Sequence, residues 1–137
     1  EQFDQYIGPY IMVLNNYAAV ASKLGMELEQ AREAVDLAIR MQPGIAELYD
    51  TRALVEISAG NASMALKDAQ RAIELRPDRL GFRFTLAKAH VEAGNPALAM
   101  DLLDDIERQN GLLPVPDLRL QEQVSDFKVE VERRISR

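Results

Sequence analysis

AREAVDLAIRMQP, residues 31–43, and ALKDAQRAIELRP, residues 65–77, are two versions of one pattern. Both have alanine at the first and eighth positions and proline at the last, and they lie 34 residues apart. A third version, AMDLLDDIERQ, begins another 34 residues on, at Ala99. Because repetition at a fixed period of roughly 20 to 50 residues is typical of stacked supersecondary units, the sequence predicts a repeat architecture.

Each repeat reads as a helix, a turn, a second helix and a stop. Gly25, Gly60 and Gly94 supply the backbone freedom that ends the first helix. Pro43 and Pro77 follow the second helix, where proline prevents its continuation. Small residues are predicted where the paired helices approach most closely: Ala18, Ala31, Ala38, Ala53, Ala65, Ala72, Ala87 and Ala99. The first copy carries one extra residue, which we place in the turn at residues 26–28 because turns absorb insertions.

The 34-residue period and the A…A…P signature resemble the tetratricopeptide repeat family over about residues 10–110. The third copy departs from the pattern, with Ile106 in place of the second alanine and Gly111 in place of the proline. The resemblance implies an all-α fold, a right-handed superhelical stack of antiparallel helical hairpins.

A single domain is predicted over residues 1–137. Helices are expected at residues 3–24, 28–42, 46–59, 62–76, 80–93, 96–109 and 117–135. They form hairpins at residues 3–42, 46–76 and 80–109, followed by a loop at residues 110–116 and a capping helix. Asn95 is expected to cap the sixth helix before Pro96. Since the chain opens with Glu1, we interpret it as a fragment of a larger protein.

Composition narrows the function. The net charge of -6 argues against nucleic acid, whose affinity for proteins comes largely from clustered Lys and Arg. The most apolar stretch, residues 10–14, falls far short of the roughly 20 residues that span a bilayer. The absence of cysteine leaves both the cytoplasm and the periplasm open.

No catalytic or metal site is predicted. His90 lacks an oriented acid or base partner in the sequence pattern, so we interpret it as structural. Asp101, Asp104 and Asp105 lie outside any calcium-loop motif and read as a solvated helix face. We expect no enzyme activity, no cofactor and no metal.

The resemblance implies that outward positions of the first helices form a concave surface that binds a protein or peptide. The residues assigned to that surface are Asn15, Asn16, Asp50, Leu54, Ile57, Phe84, Lys88 and Val91. Leu54, Ile57, Phe84 and Val91 are expected to form an apolar strip, with Asn15 and Lys88 as polar anchors, suited to an extended peptide or a helix. By the same resemblance, Arg52 and Asp68 are expected to form a structural ion pair within the second hairpin.

The predicted function is therefore a noncatalytic protein-interaction scaffold. A resemblance to bacterial repeat proteins suggests a bacterial source. The alternative is self-association, through exposed ends or Phe82 and Phe84, or an architectural segment of a larger protein, for example one that serves envelope-polymer assembly or export. The family members that grip the C-terminal carboxylate of heat-shock chaperones use a clamp of Lys, Arg and Asn. The corresponding residues here are Asn15, Ala19, Thr51, Gly81 and Thr85, which cannot supply that charge.

Overall fold

The computed structural model describes residues 4–137, and that part of the chain forms seven α-helices and no strand. The helices are α1 (Asp4–Leu24), α2 (Leu28–Met41), α3 (Ala46–Ser58), α4 (Ala62–Leu75), α5 (Leu80–Glu92), α6 (Pro96–Gly111) and α7 (Leu118–Ile135). The all-α prediction is confirmed, and the helix bounds agree with the sequence to within about two residues. The predicted start of the first helix, at residue 3, lies outside the described residues.

The helices stack in two layers. Helices α1, α3, α5 and α7 follow one another in an inner layer, because α3 packs on α1 and α5, and α7 packs on α5. Helices α2, α4 and α6 form the outer layer, each packed on the inner helix before it and the inner helix after it. α7 thus occupies the place that the first helix of a fourth hairpin would take.

Alanines lie where the layers meet. Ala18, Ala53 and Ala87 on the inner helices are fully buried, as are Ala31 and Ala65 on the outer ones. With only a methyl group between the backbones, paired helices can approach closely, and larger side chains such as Leu48 and Leu103 fill the space on either side. The repeated alanines therefore set the spacing between helices.

The turns inside the hairpins depend on left-handed backbone. Gly25, Gly60 and Gly94 have φ of 66°, 81° and 84°, a region that residues with a Cβ rarely adopt. The first turn also contains Glu27, the one described non-glycine residue with positive φ, at 52°. Its presence marks the extra residue of the first repeat, within the segment where the sequence places it.

The start and the end of α6 differ from the sequence prediction. Pro96 is at the start of the helix, but the side chain of Asn95 makes no capping hydrogen bond. The helix also continues through Gly111, which does not have positive φ, and so ends two residues beyond the predicted position. Leu112 and Leu113 then close the helix with main-chain hydrogen bonds to Gln109 and Asn110.

Asn110 ties the end of α6 to the start of α7. Its side chain is only 2% exposed; it donates to the main-chain oxygen of Asp117 at 3.0 Å and accepts from the Asp117 N–H at 2.9 Å. The Asp117 carboxylate in turn accepts from the Leu120 N–H and caps α7. This buried link holds the connecting loop in place and fixes where α7 begins.

Two networks of charged side chains join adjacent hairpins. Arg32 on α2 donates to both carboxylate oxygens of Glu56 on α3, and Asn61 donates to the same carboxylate at 2.7 Å. Burial alone would raise the pKa of Glu56, but the hydrogen bonds from Arg32 and Asn61 bring that pKa below its ordinary value. Arg52 on α3 forms the second network, with partners on α2 and α4.

Candidate partner-binding groove

The inner layer forms an open groove along one side of the stack. A cavity of about 360 Å³ lies between the inner helices. Its walls come from all four of them: Ala19, Ser22, Lys23, Leu54, Ile57, Ser58, Lys88 and Gln123. One turn of α1 and one turn of α3 supply most of this lining, because residues three and four apart share a helix face.

The groove continues beside α7. A second cavity, of about 310 Å³, shares Lys88 and Gln123 with the first. The rest of its lining is Phe84, Asp126, Phe127 and Glu130, so three-quarters of the added side chains belong to α7. α7 is therefore a wall of the groove.

The contribution of α7 is absent from the sequence prediction. Gln123, Phe127 and Glu130 are spaced at four and three residues and so lie on one helix face. The signal that could have revealed them is architectural: a helix that follows α6 must pack beside α5, and one of its faces then borders the groove.

Phe84 and Val91 are buried, which shortens the predicted apolar strip. Phe127 covers Phe84 in an edge-to-face contact with ring centroids 5.6 Å apart, and Val91 belongs to the same core cluster as Val124. Only the rim of Phe84 reaches the groove, since 7% of this residue is exposed. The open apolar surface predicted from the sequence is thus reduced to Leu54 and Ile57, which are half-buried on α3.

The polar residues assigned to the groove lie in different settings. Asn16 is exposed, whereas the amide oxygen of Asn15 is buried and has no hydrogen-bond partner. Asp50 holds the same repeat position on α3, and one of its carboxylate oxygens is likewise buried and unpaired. Both oxygens are covered by their own chain and so are closed to a bound segment, and a buried acceptor without a hydrogen bond costs free energy.

Burial also shifts the pKa values of two charged side chains, Asp50 and Lys88. It raises the pKa of Asp50 to about 6, against the opposing effects of Thr85 and Lys88. It lowers the pKa of Lys88 below its ordinary value, and Asp50 partly opposes that change. The Lys88 ammonium lies 4.3 Å from the centroid of the Phe84 ring, a cation–π contact that holds the charge at the α5 side of the groove.

Arg52 and Asp68 meet away from the groove, between α3 and α4. Arg52 Nη2 lies 2.8 Å from Asp68 Oδ1, and Arg52 Nη1 lies 3.1 Å from Asp36 Oδ1 on α2. The Asp68 carboxylate is 5% exposed, so the pair is shielded from water on one side. The arginine therefore connects three helices and plays no part in the lining of the groove.

The groove hydroxyls are engaged with the backbone. The Ser22 side chain donates to the Ala19 carbonyl at 2.7 Å, and the Ser58 side chain donates to the Ser22 carbonyl, also at 2.7 Å. His90, on α5, is half-buried, and burial lowers its pKa. Within residues 4–137, no three His, Asp or Glu side chains are grouped so that they could hold a metal ion.

No helix within residues 4–137 combines the length and the apolar character that crossing a bilayer requires.

Three comparisons with known proteins bear on this architecture. The model of the tetratricopeptide repeat family matches residues 56–112. A curated relative from rice, Oryza sativa subsp. japonica, described as a Protein SGT1 homolog, is 32% identical over 124 residues, which is 82% of this chain and 32% of the relative. The chain thus spans about a third of that relative's length.

A solved structure shares the fold. The first tetratricopeptide repeat domain of the human RPAP3 protein superposes with a TM-score of 0.66, over 90% of this chain and 96% of that domain. At 14% sequence identity, this likeness is evidence of a shared fold only.

Proposed function

Because the chain belongs to the tetratricopeptide repeat family, we propose that it is a noncatalytic protein-binding module whose groove receives a segment of a partner protein. Repeats of this family generally mediate protein–protein interaction. The observation that carries the proposal is the groove itself, in which the half-buried Ala19, Leu54 and Ile57 form an apolar floor with Lys88 and Gln123 at its edge.

The groove chemistry describes the segment that would fit. Leu54 and Ile57 offer an apolar floor, against which one or two aliphatic or aromatic side chains can pack. The Lys88 ammonium favours an acceptor, such as a carbonyl or carboxylate oxygen, at the α5 side.

The same side chains support a noncatalytic role. Acyl or phosphoryl transfer through a serine needs a hydroxyl held against a general base. Ser22 and Ser58 instead donate to main-chain carbonyls, so neither hydroxyl is activated by its neighbours. The groove is equipped to make contacts with a ligand rather than to transform one.

The test begins with a displayed library of random peptides selected on the purified chain. Affinities of the selected peptides are then measured for two variants of α7, Gln123→Trp and Gln121→Trp. Both glutamines are exposed, but only Gln123 borders the groove, so the first indole fills the groove and the second is a matched control.

We expect Gln123→Trp to weaken binding at least tenfold, a loss of about 1.4 kcal/mol, and Gln121→Trp to leave it unchanged. Circular dichroism of both variants verifies that the helices are intact. Equal binding by the two variants would place the interaction outside the groove, and a library that yields no binder would contradict peptide recognition by this face.

A further inference from the structure

One side of α1 carries an apolar stripe that no described helix covers. The stripe consists of Tyr6, Tyr10, Val13, Tyr17, Val20 and Leu24, spaced alternately at four and three residues. All six are exposed, from 36% at Tyr17 to 65% at Tyr6 and Leu24. α1 packs on α2 and α3 through a different face, which includes Ile11 and Ala18.

The composition of α1 is unusual for a solvent-facing helix. From residue 5 to residue 22 it contains no Asp, Glu, Lys or Arg. The outer helices, in contrast, carry charges throughout their exposed faces, as Glu29, Glu33 and Arg40 do on α2. A contiguous exposed apolar surface of this kind is typical of an interface.

The alternating spacing identifies the kind of partner. Apolar residues at steps of four and three average 3.5 residues, the period at which two helices keep one seam in contact along their length. α1 has 21 residues, compared with 13 in α3 and 13 in α5, so its seam extends about two turns beyond the equivalent inner helices. The stripe is therefore suited to pack along its whole length against another long helix.

The stripe is complementary to itself when a second copy runs in the opposite direction. With a two-fold axis between Val13 and Tyr17, each tyrosine faces an aliphatic residue of the other copy. The facing pairs are Tyr6 with Leu24, Tyr10 with Val20, and Tyr17 with Val13. A parallel pair in register would instead place each tyrosine against its own equivalent, and it would align the two helix dipoles unfavourably.

The area is sufficient for a specific dimer. At roughly 200 Å² for a whole side chain, the exposed fractions of the three tyrosines amount to about 300 Å² for each copy, and the three aliphatic residues add a similar amount. Two copies together would then bury on the order of 1,200 Å², within the range of specific protein interfaces.

We propose that the chain forms a two-fold symmetric dimer in which the α1 stripes of two copies pack antiparallel. The groove stays open, because Ala19 and Lys23 lie on a different face of α1 from the stripe. Phe82 and Phe84, which the sequence offered as another route to self-association, are 5% and 7% exposed and are covered by their own chain.

The first experiment is sedimentation equilibrium of the purified chain between about 1 µM and about 1 mM. We expect a mass of twice the 15.4 kDa of one chain at the upper concentrations. The double variant Val13→Glu, Val20→Glu should raise the dissociation constant at least about 100-fold, since it places charges in the seam. Its matched control is Leu118→Glu, Val129→Glu, which adds the same charges to exposed apolar positions on α7.

The second experiment determines whether the two α1 helices pack parallel or antiparallel. Because the chain has no native cysteine, only the introduced cysteines can form disulfides. A mixture of Tyr6→Cys and Leu24→Cys chains should form a mixed disulfide under mild oxidation, whereas Tyr6→Cys alone should not. A monomer at every concentration would overturn the dimer, and so would a dimer that resists the Val13→Glu, Val20→Glu change. Preferential cross-linking of Tyr6→Cys to itself would overturn the antiparallel arrangement.

Discussion

Arg52 on α3 and Asp68 on α4 are joined by two parallel hydrogen bonds, of 2.9 Å from Nε and 2.8 Å from Nη2. In the third hairpin the equivalent positions, 34 residues later, are Leu86 and Leu102. These two leucines border the same small surface cavity. One site in the fold is thus filled by a charged pair in one repeat and by an apolar pair in the next.

Asp68→Ala is expected to lower the free energy of unfolding by about 3 kcal/mol, because it leaves the Arg52 guanidinium shielded from water with only Asp36 as a partner. The double change Arg52→Leu, Asp68→Leu should restore most of that loss, as it copies the third hairpin. Urea denaturation of the three proteins measures both values. If the double variant were less stable than Asp68→Ala, the two repeats would not be interchangeable at this site.

Asp50→Asn is expected to stabilise the protein at neutral pH. The pKa of Asp50 is raised to about 6 in the folded chain, above its unfolded value near 3.8, so the folded state gains stability when the carboxyl is protonated. That gain is complete below the unfolded pKa and is lost as the pH rises through about 6. The asparagine variant should therefore be more stable by on the order of 2 kcal/mol at pH 7.5, and the difference should shrink towards pH 4.

Thermal unfolding of Asp50→Asn at several pH values between those limits checks the sign. Asp101→Asn, at an exposed position, is the matched control and should follow the unchanged protein throughout. A constant difference between Asp50→Asn and the unchanged protein at all pH values would show that packing, not ionisation, explains the effect.

Alanine should have opposite effects at two kinds of glycine. Gly60→Ala is expected to destabilise the protein by about 1 kcal/mol, because the new Cβ is forced into a left-handed conformation at φ 81°. Gly81 lies within α5, without positive φ and with open space around it, so Gly81→Ala should stabilise by about 0.5 kcal/mol. Chemical denaturation of the two variants distinguishes these signs, and equal effects would mean that backbone conformation does not control the hairpin turn.

Asn110→Ala should loosen the attachment of α7. The change removes the buried side chain that bonds to the Asp117 N–H and carbonyl, at a cost of about 1 kcal/mol, because Asp117 is exposed and water can replace part of the contact. Hydrogen exchange should then accelerate in α7 more than in α3. The nearby Arg108→Ala removes an exposed ion pair and should leave exchange in α7 unchanged.

The repeat was predictable because its physical requirements recur in the sequence. Close helix approach needs alanine at Ala53 and Ala87, and a left-handed turn favours glycine at Gly60 and Gly94, so each copy supports the reading of the others. The helix bounds follow from these positions almost without adjustment. Asn110 has no such support, since Gln42 and Arg76 hold the equivalent places, and its importance depends on a contact with a loop outside the period.

The residues that line the groove were less predictable, because part of the lining lies outside the 34-residue repeat. Residues 112–117 interrupt the 34-residue spacing, so repeat positions cannot be carried forward to α7. The burial of Phe84 depends on Phe127, which lies beyond that interruption. Leu54 and Lys88, which lie before it, are part of the groove lining.

The packing of the helices also has a mechanical consequence. Over residues 4–137, α1 and α2 pack only on each other and on α3, while the last three helices reach the first hairpin only through α3 and α4. Tension between the first and the last described helices must therefore pass through the middle hairpin. A rigid segment bound in the groove would fix the curvature of the helical stack. The resulting strain would be concentrated at α3, where Arg52 connects three helices.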